Sequence, residues 1–286
     1  SQETIDTAGT TLGVSGANEA KRVQKEYMQN HRLNIPTLLM ADIIHGFRTI
    51  FPIPLALGST WDEAAVEKMA EISAKEAAVS GLHVTFSPMV DLVRDPRWGR
   101  VMESTGEDPL LNSRLAAAMV RGYQGENLKE DNWRVAACVK HFAAYGGALA
   151  GRDYNTVDMS ERQLREMYLP GYKAGLDAGA KLVMTSFNTV DGIPATGNQW
   201  LFRDVLRNEF GFEGVVISDW GAIKELIPHG VAKDEKQAAE LAIKAGVDIE
   251  MMTTCYPDYL KELLEEGRIA ETLIDEAVMR ILKLKN

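Results

Sequence analysis

Short apolar runs alternate with longer amphipathic stretches almost to the end of the chain. The runs fall at 10–16 (TTLGVSG), 36–42 (PTLLMAD), 83–88 (HVTFSP), 135–142 (VAACVKHF), 181–187 (KLVMTSF), 214–220 (GVVISDW) and 246–252 (GVDIEMM). They are rich in Val, Ile, Leu and Met, and read as strands buried on both faces. Between them, 18–31, 61–81, 110–124 and 160–179 carry apolar residues at helical spacing, and 256–266 and 271–285 close the chain in the same way. Ser15 or Asn18 is placed to cap the first helix, and Gly81 to stop the second. The SERQ at 160–163 resembles a capping box, with Gln163 reaching back to Ser160. Pro170 is expected to kink the helix that follows.

Strand-helix alternation with near-continuous apolar strands places the strands in one parallel sheet with helices outside. The fold class is therefore α/β, a TIM-like (β/α)8 barrel, incomplete by the count of seven strands. The eighth strand is to be sought in a segment read as loop, or upstream of Ser1. An open doubly wound sheet is the runner-up, but it calls for a Gly-rich phosphate turn after the first strand. GVSGAN is a poor match to that pattern.

Composition changes this picture little. At 286 residues the chain suits one barrel, since single α/β barrels of about 250 residues are common. A formal net charge of -10 argues against a nucleic-acid partner, which requires a basic face. No apolar stretch approaches the roughly 18 residues of a membrane span. Two distant cysteines give neither a disulfide framework nor a zinc pattern. Cys138, inside VAACV, is expected to be a buried free thiol. The histidines are scattered without ligand spacing, so no metal or other cofactor is implied. The chain starts SQETIDTAG, with no Met and no signal segment. Either a leader has been removed or the sequence begins inside a longer product, so the compartment, cytoplasmic or secreted, stays open.

Several strands end in residues able to do chemistry: Asp42 with His45 in the turn after it, Lys140-His141, Ser186-Phe187 before Asn188, and Ser218-Asp219-Trp220. In parallel α/β folds the carboxyl ends share one face, and sites sit there. Asp42, Lys140, His141, Asp219 and Trp220 should therefore converge. Singly, each has a plainer explanation: a strand-end Asp is often a helix N-cap, a His a satisfied core residue, and a Trp plain packing. Lys140 is harder to explain away, because a buried ammonium needs a partner or a task; Asp42 or Asp219 would supply the partner. Trp220 offers a flat face suited to a sugar ring. The long loop 89–109 holds Arg94, Arg97 and Arg100 among Asp91, Asp95, Glu103, Glu107 and Asp108. Most of these charges must pair to order the loop, and one arginine could reach the pocket.

At these residues the sequence resembles glycoside hydrolase family 3, the β-glucosidase and exo-glucanase family. ADIIHG (41–46), FPIPLALGSTWD (51–62), DPRWGRVMESTGEDP (95–109), VKHFAAYG (139–146), VMTSFNTVDGIP (183–194) and GVVISDW (214–220) match its motifs in family order. AGRDYN (150–155) is similar to the bacterial two-domain branch. The resemblance implies that Asp219 is the catalytic nucleophile of a double displacement with retention. It implies that Asp42 grips substrate hydroxyls, that Arg100, Lys140 and His141 are donors to the same sugar, and that Met184 and Trp220 form pocket walls. Phe187 falls where many members have Tyr, which removes one polar contact near the nucleophile. A retaining enzyme needs a second carboxyl about 5–5.5 Å from the first. In two-domain relatives it lies on a C-terminal α/β domain; in single-domain relatives a His-Asp pair on a barrel loop serves. The loop AYGGALAGRDYN has no such His, leaving Glu107, Asp153, Asp248 and Glu250 by elimination.

The expectation is a single catalytic barrel domain over 1–286 without the C-terminal domain of its relatives. Small β-glucosides or oligosaccharides and that domain would be its partners, with activity impaired in isolation. The alternatives are an inert truncated or engineered barrel scaffold, and a Schiff-base aldolase with Lys140 as nucleophile.

Overall fold

The computed structural model describes residues 8–154 and 156–286. The chain start and Asn155, the last residue of the AGRDYN motif, lie outside them. The strands are β1 (Thr10–Leu12), β2 (Leu38–Ala41), β3 (Val84–Thr85), β4 (Ala136–Phe142), β5 (Thr156–Val157), β6 (Leu182–Thr185), β7 (Thr189–Val190), β8 (Ile193–Pro194) and β9 (Val215–Ile217). Six of them form one parallel sheet in the order β1-β2-β3-β4-β6-β9. The seventh expected strand, 246–252, makes a single parallel bridge, Ile217 to Ile249. The architecture is a curled parallel half-barrel, an incomplete TIM-like barrel. A second small sheet, β5-β7-β8, was not anticipated.

Alternate side chains along each strand divide between two cores, as a period of two requires. Leu38 and Met40, Val84 and Phe86, Ala136 and Cys138, Leu182 and Met184, Val215 and Ile217, and Ile249 and Met251 meet inside the curl. Ile281 and Leu284 of the last helix pack against the same cluster. The intervening residues, among them Leu39, Ala137, Val139, Val183 and Val216, face outward into the core shared with the helices. Cys138 and Cys255 are free and buried.

The helices start where local chemistry allows. Asp62 accepts from Ala65 N at 3.0 Å and opens Glu63–Val79; Asp108 accepts from Leu111 N at 2.7 Å and opens Pro109–Gln124. Ser160 accepts from Gln163 N at 3.2 Å, the first half of the expected capping box. The expected cap of the first helix is not made: Ala17–Asn30 begins at Gly16 with no side-chain hydrogen bond. Before Pro170 the chain forms a π turn over Leu164–Tyr168, then an α-helix over Leu169–Asp177. Wider turns of this kind absorb the hydrogen bond that a proline lacks. Further helical segments outside the sequence reading appear, among them an α-helix at Pro54–Gly58, a π-helix at Trp200–Glu209 and an α-helix at Glu235–Ala245.

Helices Glu63–Val79 and Pro109–Gln124 touch at Gly122, where a β-carbon would lie 2.4 Å from Glu67 O and 2.6 Å from Ala70 Cβ. Gly122→Ala is therefore expected to destabilise the fold by about 1–3 kcal/mol through overpacking, against the usual gain of an alanine in a helix. A urea midpoint at or above that of the unaltered chain would show that the helices are not in contact there.

Candidate active site

The parallel register brings the strand ends to one rim, and a cavity of about 390 Å³ opens there. Its wall includes Asp42, Arg100, Lys140, His141, Met184, Asp219 and Trp220, floored by Met40, Phe86 and Met251. A larger hollow, about 860 Å³, lies at the other rim against Leu38, Val84, Ala136 and Lys181, where the strands begin. In folds of this kind that rim serves stability, so chemistry rather than volume identifies the site. Phe187 is not on the cavity wall. Its ring packs against Tyr154 at 4.5 Å and Tyr145 at 5.9 Å between centroids.

Lys140 and His141 are adjacent in β4, and in a regular strand adjacent side chains point to opposite faces. The pairing of β4 with β6 shifts register between Val139 and Phe142, and both side chains reach the cavity. The Lys140 side chain is 3% exposed, and its Nζ donates to Asp42 Oδ1 at 2.6 Å. Asp42 itself is 60% exposed at the mouth. The pair meets the need of a buried ammonium for a counter-charge.

Arg100 comes from the 89–109 loop. Its Nε and Nη2 donate to the two oxygens of Glu103 at 2.7 and 2.8 Å. Burial pulls the Arg100 guanidinium down, but the hydrogen bonds and charge of Glu103 carry it above its ordinary value. The loop is ordered as its composition suggested. Trp98 is buried edge-on to Tyr145, and Asp95 pairs with Arg97 at 2.7 Å, which lowers the Asp95 carboxyl to about 2. Ser104 Oγ donates to Asp91 O at 2.7 Å.

Asp219 follows β9. Ser218 N donates to Ile249 O at 2.8 Å, and Ser218 Oγ accepts from Met251 N at 2.9 Å, which locks this corner. The Asp219 amide donates to Thr185 Oγ1 at 3.2 Å. Of the two carboxylate oxygens, Oδ1 accepts from Trp220 N at 2.6 Å. Oδ2 is buried without a hydrogen-bond partner, 3.4 Å from His141 Nε2. Trp220 is 59% exposed at the rim, its ring open to a neighbouring group.

Two further residues hold this arrangement from behind. Asp91 is fully buried and accepts from His141 N at 3.1 Å; its Oδ2 lies 2.7 Å from His141 Nδ1. Tyr172 OH contacts Asp91 Oδ1 at 2.7 Å and His141 O at 2.6 Å. Burial, and secondarily Arg100, lowers His141 to about 3, so the ring is neutral and its contacts with Asp91 and Asp219 are not ion pairs. Burial raises Asp91 to about 6 against the pull of its hydrogen bonds. Asp91 and Glu103 appear in the sequence only as charges in a charged loop. Their roles depend on partners that the local pattern does not show.

The carboxyls reached by elimination are held by other partners or lie away from the cavity. Asp248 is held by Arg207 and Arg280 at 3.0 Å each and by Val216 N at 2.8 Å. Asp153 accepts from Trp98 Nε1 at 3.1 Å. Glu107 lines a separate surface groove with Arg94 and Tyr168. Glu250 accepts from Cys255 N and Tyr256 N at 2.9 and 2.7 Å, and so satisfies the start of helix Cys255–Glu265. On the cavity wall the carboxyls among the described residues are Asp42 and Asp219.

The family described as "Glycosyl hydrolase family 3 N terminal domain" matches residues 7–284. The chain is 46% identical over 277 residues to a periplasmic beta-glucosidase of Salmonella typhimurium, across 97% of this chain and 36% of that protein. It superposes on a beta-glucosidase from Listeria innocua in complex with isofagomine with a TM-score of 0.98 and 60% identity, across 100% of this chain and 40% of that one. The same Listeria protein in complex with glucose superposes at 0.97 with 61% identity, across 98% of this chain and 39% of that one. The chain thus spans about two-fifths of the length of these relatives. No helix among the described residues is long and apolar enough to cross a membrane.

If Glu250 is a helix anchor, Glu250→Ala should lower stability by about 1–2 kcal/mol, the usual loss for a helix N-terminal acceptor. Chemical denaturation checks this, and an unchanged midpoint would return Glu250 to the list of free carboxyls.

Proposed function

Because the chain belongs to glycoside hydrolase family 3, we propose that it is the sugar-binding, nucleophile-bearing barrel of a retaining, exo-acting β-glucosidase that removes terminal non-reducing β-D-glucosyl residues. The observation that carries the reading is Asp219 itself. One oxygen is fixed by the Trp220 amide, and the other, Oδ2, is buried without a partner at the wall of the cavity. An oxygen so placed is oriented for attack and has no hydrogen bond to give up first. It would add to the anomeric carbon, forming a glycosyl ester as the leaving oxygen departs, and water would later release the sugar with retention.

The remaining wall suits one pyranose. Asp42 and Lys140 form a donor-acceptor pair at the mouth, Arg100 is held planar by Glu103, and Trp220 supplies an apolar face. Arrays of this kind reject a sugar lacking the matching hydroxyls, because buried polar groups would be left unpaired. The relatives named for β-glucosidase activity and the glucose-bound neighbour support glucose as the sugar. The aldolase alternative gains nothing from this geometry, since the Lys140 ammonium is tied to Asp42.

The acid that protonates the leaving oxygen is, in this reading, supplied from protein outside these residues. Asp42 is engaged by Lys140, and the elimination candidates are held by other partners or lie off the cavity wall. Incubation with a 2-deoxy-2-fluoro-glucoside carrying a good leaving group should add one glycosyl unit to Asp219, located by mass spectrometry of peptides, and Asp219→Asn should abolish the adduct. Labelling of Lys140 or of any other carboxyl would overturn the assignment. Turnover by the chain alone should depend steeply on the leaving group: slow release of an activated phenol and no cleavage of a sugar or alkyl aglycone. Equal rates on both would show that the chain carries its own acid.

A further inference from the structure

Resting on that reading, we propose that Asp91 is a positioning residue held as the neutral acid in mildly acidic solution. It fixes His141 as the Nδ1–H tautomer, so that Nε2 faces the cavity as a hydrogen-bond acceptor for a sugar hydroxyl rather than as a donor.

The single phenolic proton of Tyr172 decides the arrangement. Tyr172 OH lies 2.6 Å from His141 O and 2.7 Å from Asp91 Oδ1, and it accepts from Ala144 N at 3.1 Å. The carbonyl has no proton to give, and the single phenolic proton cannot lie along both short vectors. If Tyr172 donates to the His141 carbonyl, the proton between Tyr172 and Asp91 must sit on Asp91 Oδ1. Asp91 Oδ2 is then a carbonyl-type acceptor. It takes the His141 amide at 3.1 Å, and at 2.7 Å it takes a proton from His141 Nδ1. A neutral imidazole with its proton on Nδ1 presents a lone pair at Nε2. This also accounts for Asp219 Oδ2: at 3.4 Å from Nε2 it is left without a donor.

The surroundings agree. Asp91, His141 and Tyr172 are 0%, 1% and 0% exposed, so an ionised Asp91 would have no water to share its charge. The charged groups acting on Asp91 are Arg100 and Lys140, and each already has its own carboxylate, Glu103 and Asp42. Burial moves Asp91 up to about 6 and His141 down to about 3. Both shifts lie in the direction of two uncharged partners.

Asn is the close mimic of a neutral aspartic acid, since its amide donates to Tyr172 and its carbonyl accepts from His141. The experiment compares the unaltered chain with Asp91→Asn and Asp91→Ala. Nitrogen NMR of ¹⁵N-histidine protein, with His141 assigned through His141→Asn, should show a neutral ring protonated at Nδ1. A ring protonated at Nε2, or an imidazolium, overturns the proposal. Stability supplies the second readout. Folding holds on Asp91 a proton that the unfolded chain has released above 3.8, and the native group releases it only near 6. The unaltered chain therefore loses stability as pH rises through that window, and the non-titrating Asn does not. Relative to it, Asp91→Asn should gain thermal midpoint as pH rises from about 4 to about 6 and keep that gain above it, and a relative loss over that range overturns the proposal. Neither readout needs sugar, so both stand or fall apart from the β-glucosidase reading, which a glucose titration tests. In that titration Asp91→Ala should weaken binding by about tenfold to a hundredfold and Asp91→Asn should recover most of it, as expected when an orienting hydrogen bond is removed and then restored.

Discussion

A parallel sheet has two unlike rims, one of strand starts and one of strand ends. Placing ionised groups on the rim of ends obliges the protein to find each of them a partner inside a largely dry wall. Most of what is distinctive in this molecule answers that demand. Lys140 is buried and therefore has Asp42; Arg100 is buried and therefore has Glu103. The 89–109 loop is long because it must bring Arg100, Glu103 and Asp91 to a sheet whose strands do not carry them. The Trp98–Tyr145 contact holds the loop against the short segment after β4. The site is thus assembled from strand ends plus one ordered loop.

The strands and the rim were legible in the sequence for a simple reason. Burial on both faces leaves runs such as VAACVKHF and GVVISDW that fit no surface helix, and each run that ends in a polar residue advertises a strand end. The structure keeps that logic to the residue: Met40, Cys138, Met184 and Ile217 face the inner core while their neighbours face the helices. Strand lengths were overstated, because apolar character continues past the last ladder hydrogen bond, as at 10–16 against Thr10–Leu12. The segment 246–252 departs from this rule. Its composition is that of a strand, yet Ile249 makes one bridge and Asp248 turns away to Arg207 and Arg280.

What escaped the sequence reading shares one property: it depends on partners far along the chain. Asp91 meets His141 50 residues on and Tyr172 81 residues on, and no local spacing encodes either contact. Trp200–Glu209 escaped differently. Its buried side chains, Leu201, Phe202, Val205 and Leu206, fall at ordinary helical spacing, so this segment was open to the sequence pattern and was overlooked. Glu235–Ala245 buries mostly alanine, which carries little contrast between faces. Phe187 was placed at the pocket by resemblance alone, and its ring lies one layer back, packed on Tyr154 and Tyr145.

Taken together, the charges around the cavity nearly cancel. Asp42 offsets Lys140 and Glu103 offsets Arg100, while His141 is uncharged and Asp91, by the proton count, is uncharged as well below about pH 6. Asp219 is then the carboxylate left without a fixed counter-charge among the groups lining the cavity. A glucoside is neutral when it binds and acquires positive character at the anomeric carbon as the bond to the leaving group stretches. A cavity with this balance makes little electrostatic distinction in the ground state and a large one at the transition state, because only the developing cation finds the unpaired Oδ2. A protonated His141 would shift that balance by supplying Asp219 with a permanent cation. The buried Asp91–Tyr172 pair behind the ring, by keeping His141 neutral, preserves the charge difference on which the proposed chemistry depends.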